Sequence, residues 1–73
     1  MINTKAIRNR MTDFNLTNAE LADKVGVSSA YLNCVIEGRK DLTLSMAEKI
    51  QAELDISNDE FGFYFLSGGR EMQ

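Results

Sequence analysis

Seventy-three residues, 44% of them apolar and 26% charged, with a net charge of −3, describe one small globular domain. Histidine is absent and Cys34 is the single cysteine, which excludes His-based triads, His metal ligands and an internal disulfide. No apolar run approaches the roughly 18 residues of a membrane span, and Met1-Ile2-Asn3-Thr4-Lys5 lacks the apolar centre of an export signal.

A cytoplasmic protein with no cofactor, no metal and no small-molecule ligand is therefore expected. Neither phosphate-binding glycine pattern is present, and Gly68-Gly69 reads as part of a flexible tail. Carboxylates on helices mostly form a solvated face, so an enzyme is not expected. The charge is unevenly spread. Residues 1–40 carry six basic groups against four acidic ones, and residues 41–73 carry two against seven. The first part is compatible with a nucleic-acid partner and the second with a face turned away from it.

In chain order, Ile7, Met11 and Phe14 recur at helical spacing and mark a first helix of about ten residues. Arg8 and Arg10 on it read as surface charges. Thr17-Asn18-Ala19-Glu20 is a capping box, in which hydroxyl and carboxylate each satisfy the other residue's amide. It opens a second helix through Leu21, Ala22 and Val25, and Gly26 ends it. Ser28 caps a third helix with Leu32, Val35 and Ile36 inward, and Gly38 closes that one. Thr43 caps a fourth helix with Leu44, Ala47, Ile50 and Leu54 inward. Ser57-Asn58-Asp59-Glu60 is a second capping box, leading into an aromatic segment through Phe65. Alternation in Phe61-Gly62-Phe63-Tyr64-Phe65 leaves helix and strand both open there. The expected fold is all-α, a compact bundle of four to five short helices.

The functional signal is the helix, glycine-containing turn and helix across residues 17–38. So short a turn makes the two helices cross steeply, and the second is free to enter a major groove. The run from Thr17 to Ser28, followed by Tyr31-Leu32 and Glu37-Gly38-Arg39-Lys40, resembles the lambda-repressor and Cro family of helix-turn-helix proteins. The similarity covers about residues 5–60 and continues into Leu44, Lys49-Ile50, Leu54 and Ile56. Three positions depart from the family pattern. Asn18 replaces a glutamine and shortens the group offered to a phosphate. Ile36 stands where an acid is common, with Glu37 one place later, which alters the anchoring of the third helix. Leu42 stands where proline is frequent.

Turning the third helix about 100° per residue, with Leu32, Val35 and Ile36 inward, points Ala30, Cys34 and Glu37 outward, with Asn33 and Tyr31 flanking. The resemblance implies that Ser29, Ala30, Asn33 and Cys34 read bases, with Asn33 suited to adenine and Ala30 and Cys34 to thymine methyls. For phosphates it implies Thr17, Asn18, Lys24, Ser28, Arg39 and Lys40. The chain divides into a DNA-binding domain, 1–60, and an aromatic segment with tail, 61–73. Such a domain can bury about two of the rings near its end, so an apolar patch is expected there. Phe61, Phe63, Tyr64 and Phe65 are assigned to a homodimer contact, which suits a palindromic operator. The function these readings imply is that of a sequence-specific regulator of the phage-repressor type on double-stranded DNA. The alternative on the same fold is an antitoxin or antirepressor-like module that binds protein.

Overall fold

A computed structural model describes residues 2–66, and the helices begin where side chains cap them. Helix α1, Thr4–Asp13, starts at Asn3, whose Oδ1 accepts the Ala6 amide at 3.2 Å. Helix α2, Asn18–Val25, opens on the full capping box: Thr17 Oγ1 accepts from Glu20 N at 3.1 Å and Glu20 Oε1 accepts from Thr17 N at 2.9 Å. The Thr17 amide and then its hydroxyl, with a lesser pull from Lys24, hold the Glu20 carboxyl below its ordinary pKa. Ser28 and Thr43 cap α3, Ser29–Ile36, and α4, Leu44–Glu53, in the same way. Ser57 and Glu60 form the second capping box across a 3-10 turn, Asn58–Glu60, that runs into α5, Phe61–Phe65. The aromatic segment is therefore helical. The Gly68-Gly69 tail lies outside the described residues.

Three helices stop by one device. A residue in the left-handed region is followed by an apolar residue whose N–H turns back to a carbonyl of the last turn, so that its side chain meets the core. In α2 these are Gly26, at φ +83°, and Val27, whose N–H reaches Ala22 O at 3.0 Å. Asn15 with Leu16 ends α1, and Asp55 with Ile56 ends α4, without glycine at either turn. Asn and Asp tolerate this conformation better than other side chains.

The buried interior is built from Ile7, Leu21, Leu32, Val35, Ile36, Ile50, Leu54 and Phe65, all but inaccessible to solvent. Each contributes roughly 1.5–3 kcal/mol by leaving water. Helix α2 packs on α3 and α4, while α1 packs on α5. Ile2 is also buried, and Asn3 N donates to Tyr64 O at 2.8 Å, so the start of the chain is strapped to α5.

Two expected core residues are not in the core. Phe14 is 41% exposed because the helix ends before it, and its ring lies under the Arg10 guanidinium at 5.2 Å. Leu44 is 66% exposed, with Met46 buried on that helix instead. Leu44 sits roughly a quarter-turn away from the line through Ala47, Ile50 and Leu54, and Met46 lies closer to it. Arg10 is no loose surface charge either. Its guanidinium donates to Leu54 O at 2.9 Å and Asp55 O at 2.8 Å, placing a cation on the carbonyl end of α4. Among the described residues there is no strand, and no helix is long and apolar enough to cross a membrane.

Candidate nucleic-acid interface

Only Gly26, Val27 and Ser28 separate α2 from α3. A Cβ built on Gly26 would meet open space, so the requirement for glycine there is the positive φ alone. The start of α3 is then pinned to the start of α2, because Asn18 Nδ2 donates to the Ser29 carbonyl at 2.9 Å. Asn18 Oδ1 is buried and accepts no hydrogen bond. The bond to Ser29 uses one amide hydrogen of Asn18 and leaves the second for another acceptor.

The first turn of α3 is open. Ser29, Ala30 and Tyr31 are all exposed, and Tyr31 stands at 39%. Tyr31 lies on the flank given by helical geometry and belongs to the candidate surface by its exposure. Thr17 and Ser28 use an oxygen lone pair to cap helices, which leaves the Ser28 hydroxyl hydrogen for an acceptor such as a phosphate, while the Thr17 hydroxyl also bonds the Glu20 carboxyl. Lys24 and Lys40 are exposed. Among the described residues the ion pairs are Arg8–Glu37 and Arg39–Glu37, so neither lysine is tied to a carboxylate.

The last turns of α3 are different. Asn33 and Cys34 are half-buried. Arg8 reaches from α1 to place Nη2 at 2.8 Å from Asn33 Oδ1 and 3.3 Å from Glu37 Oε2. Arg39 folds back so that its Nη2 lies 2.8 Å from Glu37 Oε1 and 3.8 Å from Cys34 Sγ. Its own N–H bonds to Cys34 O at 2.9 Å, a path that Gly38 permits with φ +82°. Cys34 points outward as helical geometry requires, but an arginine covers it. Arg8, read from the sequence as a surface charge, is a cross-link between helices. The sequence signal for it was Glu37 standing one place beyond the position where an acid is common.

The aromatic end divides as a small core demands. Phe65 is 1% exposed and Tyr64 9%, so both belong to the interior of this chain. Phe61 is half-buried against Phe65, ring centroids 4.7 Å apart. At this end of the described residues, Phe63 at 57% and Leu66 at 59% are the large apolar side chains left outside. The cleft beside Leu66 is lined by Ile2, Val35, Leu42 and Phe65. Of the four aromatic residues expected at a dimer contact, Phe63 is exposed, Phe61 is half-buried, and Tyr64 and Phe65 are buried within the chain.

A family model described as Helix-turn-helix covers residues 7–61. No curated protein and no solved structure matches the chain.

Proposed function

Since the chain belongs to the helix-turn-helix family of lambda-repressor and Cro type, and is on that ground a DNA-binding regulator rather than a member of an enzyme family, we propose that it acts as a sequence-specific repressor-type protein on operator DNA. Helix α3 enters the major groove with its first turn foremost. Ser29 and Ala30 meet base edges directly, and Asn33 and Cys34 follow at the rear of the contact. Thr17, Ser28, Lys24 and Lys40 take phosphates on either side, with Arg39 and the second amide hydrogen of Asn18 beside them.

The observation that carries this reading is the open, short-chained first turn of α3, held at its start by the Asn18–Ser29 bond. A face bearing only a hydroxyl and a methyl group beside one ring allows the helix backbone to come close to the bases. It offers no long side chain that would reach them from afar. The protein works as a homodimer, joined through Phe63, Leu66 and the neighbouring cleft, and each protomer reads one half of a palindromic site.

A gel-shift series against genomic fragments at rising salt tests the proposal. It predicts tight binding to a small subset of fragments, weakening steeply with salt. Binding that ignores salt, or that treats all fragments alike, contradicts it. Light scattering tests the assembly: Phe63→Ser should lower the mass towards that of a monomer and weaken operator binding in parallel. A wild-type chain that stays monomeric at high micromolar concentration contradicts the dimer.

A further inference from the structure

Asn33 does not face DNA with a free choice of hydrogen bonds. An asparagine amide carries an acceptor and a donor, and a freely rotating one matches adenine by taking N6–H on its oxygen while giving N–H to N7. In this chain the oxygen is engaged. Arg8 has donors only, so the Asn33 atom facing Nη2 at 2.8 Å must be Oδ1. The planar amide then turns Nδ2 to the opposite side. The clamp is itself braced, since Glu37 holds Arg8 with one oxygen at 3.3 Å and Arg39 with the other at 2.8 Å.

We infer that Arg8 is a specificity-determining positioning residue, which occupies one lone pair of Asn33 Oδ1, turns Nδ2 away from itself, and so biases Asn33 to guanine in preference to adenine. The inference rests on the proposed docking of α3 in the major groove. Guanine presents two acceptors there, N7 and O6, and Nδ2, turned away from Arg8, can donate to either. Adenine presents N7 beside the N6 amino group. To use both, Asn33 Oδ1 would have to take the N6 hydrogen on its second lone pair, on an oxygen that the Arg8 guanidinium already makes a weaker acceptor. Arg8 thus acts without touching a base. The adenine pairing implied by the family resemblance is replaced by a guanine pairing that belongs to this chain's own α1–α3 contact.

Selection from a pool of randomised duplex DNA tests this with the full chain. Asn33→Ala identifies the base pair concerned, as the one position where preference disappears. At that pair wild type should favour guanine over adenine by about tenfold, the scale of one good base contact. Arg8→Met retains the apolar stem and frees the amide, so the guanine-to-adenine ratio should fall to near one with other positions unchanged. Arg8→Lys, which restores a donor towards Oδ1, should recover part of the ratio. A merely structural Arg8 would weaken binding to all sequences and leave the ratio intact, and that result overturns the inference. Asn33→Asp gives an answer even if Arg8→Met fails to fold. It keeps an oxygen for Arg8 and presents an acceptor outward, so guanine preference should give way to a donor-bearing base, and retained guanine preference overturns the inference. If wild type enriches no sequence at all, the docking proposal fails and the inference falls with it. An enriched site with an unmoved ratio counts against Arg8 alone.

Discussion

The two ends of α3 are built to opposite plans. The first turn presents Ser29, Ala30 and Tyr31 to solvent; Ser28 Oγ accepts from Tyr31 N to cap the helix, and Asn18 donates to the Ser29 carbonyl. The last turns present Asn33 and Cys34 only in part, beneath a chain of contacts from Arg8 through Glu37 to Arg39. Both ends lie on one helix of eight residues, and the helix is equally well packed beneath them at Leu32 and Val35. What separates them is which neighbours reach over. Helix α1 and the loop after Gly38 supply arginines at one end, and nothing comparable covers the other. An open end recognises by fit and close approach, whereas a braced end recognises through groups already oriented before DNA arrives.

The largest expected effect would break that comparison at its open end. Ala30→Leu adds bulk where the helix must come closest, so specific binding should fall to the non-specific level, about a thousandfold or more. Thermal unfolding should hardly change, because Ala30 is exposed. Undiminished binding by this variant would mean that the open end does not meet the groove. A smaller effect sharpens the comparison at the braced end. Lys40 makes no ion pair among the described residues, while Arg39 is committed to Glu37. Lys40→Ala should therefore flatten the salt dependence by about one unit, with weaker binding to every sequence alike. Arg39→Ala should flatten it by less, and equal slopes for the two variants would show that Arg39 leaves Glu37 on binding.

Smaller still are effects on the frame that carries both ends. Thr17→Ala removes a hydroxyl that caps α2, which should cost about 1 kcal/mol of stability by thermal or denaturant unfolding. The same frame has a pH signature. The Glu20 carboxyl is held below its ordinary pKa, first by the Thr17 amide and then by the Thr17 hydroxyl, with a lesser pull from Lys24. A carboxyl depressed in the folded state stabilises fully above its unfolded pKa and loses that contribution as pH falls through the folded one. Glu20→Gln retains a capping group but cannot titrate, so the stability gap between wild type and variant should narrow in that acid range. A gap constant with pH would show that Glu20 does not titrate into its cap.

The frame was largely legible in the sequence, because its rules are local. Thr17 and Glu20, Ser28, Thr43, and Ser57 with Glu60 declare helix starts by spacing alone, and Gly26 and Gly38 declare two turns. Asn15 and Asp55 play a similar part with side chains that carry a weaker signal, so those turns were harder to see. Leu44 and Phe14 were misplaced for a reason of geometry. A residue at the edge of a stripe, or one step past a helix end, matches the period without sharing the burial. The braced end of α3 was not legible, since Arg8 and Asn33 are 25 positions apart and no periodicity couples them. Tyr64 and Phe65 could be counted among the aromatic residues, but which rings turn inward depends on how α1 and α5 pack.

The most direct test of the central claim is a titration of uniformly 15N-labelled protein with a 20-base-pair duplex at low salt, followed by amide chemical shifts. The account predicts that shifts concentrate at residues 17–19, 28–34 and 39–40, with those of the first turn of α3 among the largest and those of α4 and α5 small. Shifts confined to α4 and α5, with α3 unmoved, would contradict it.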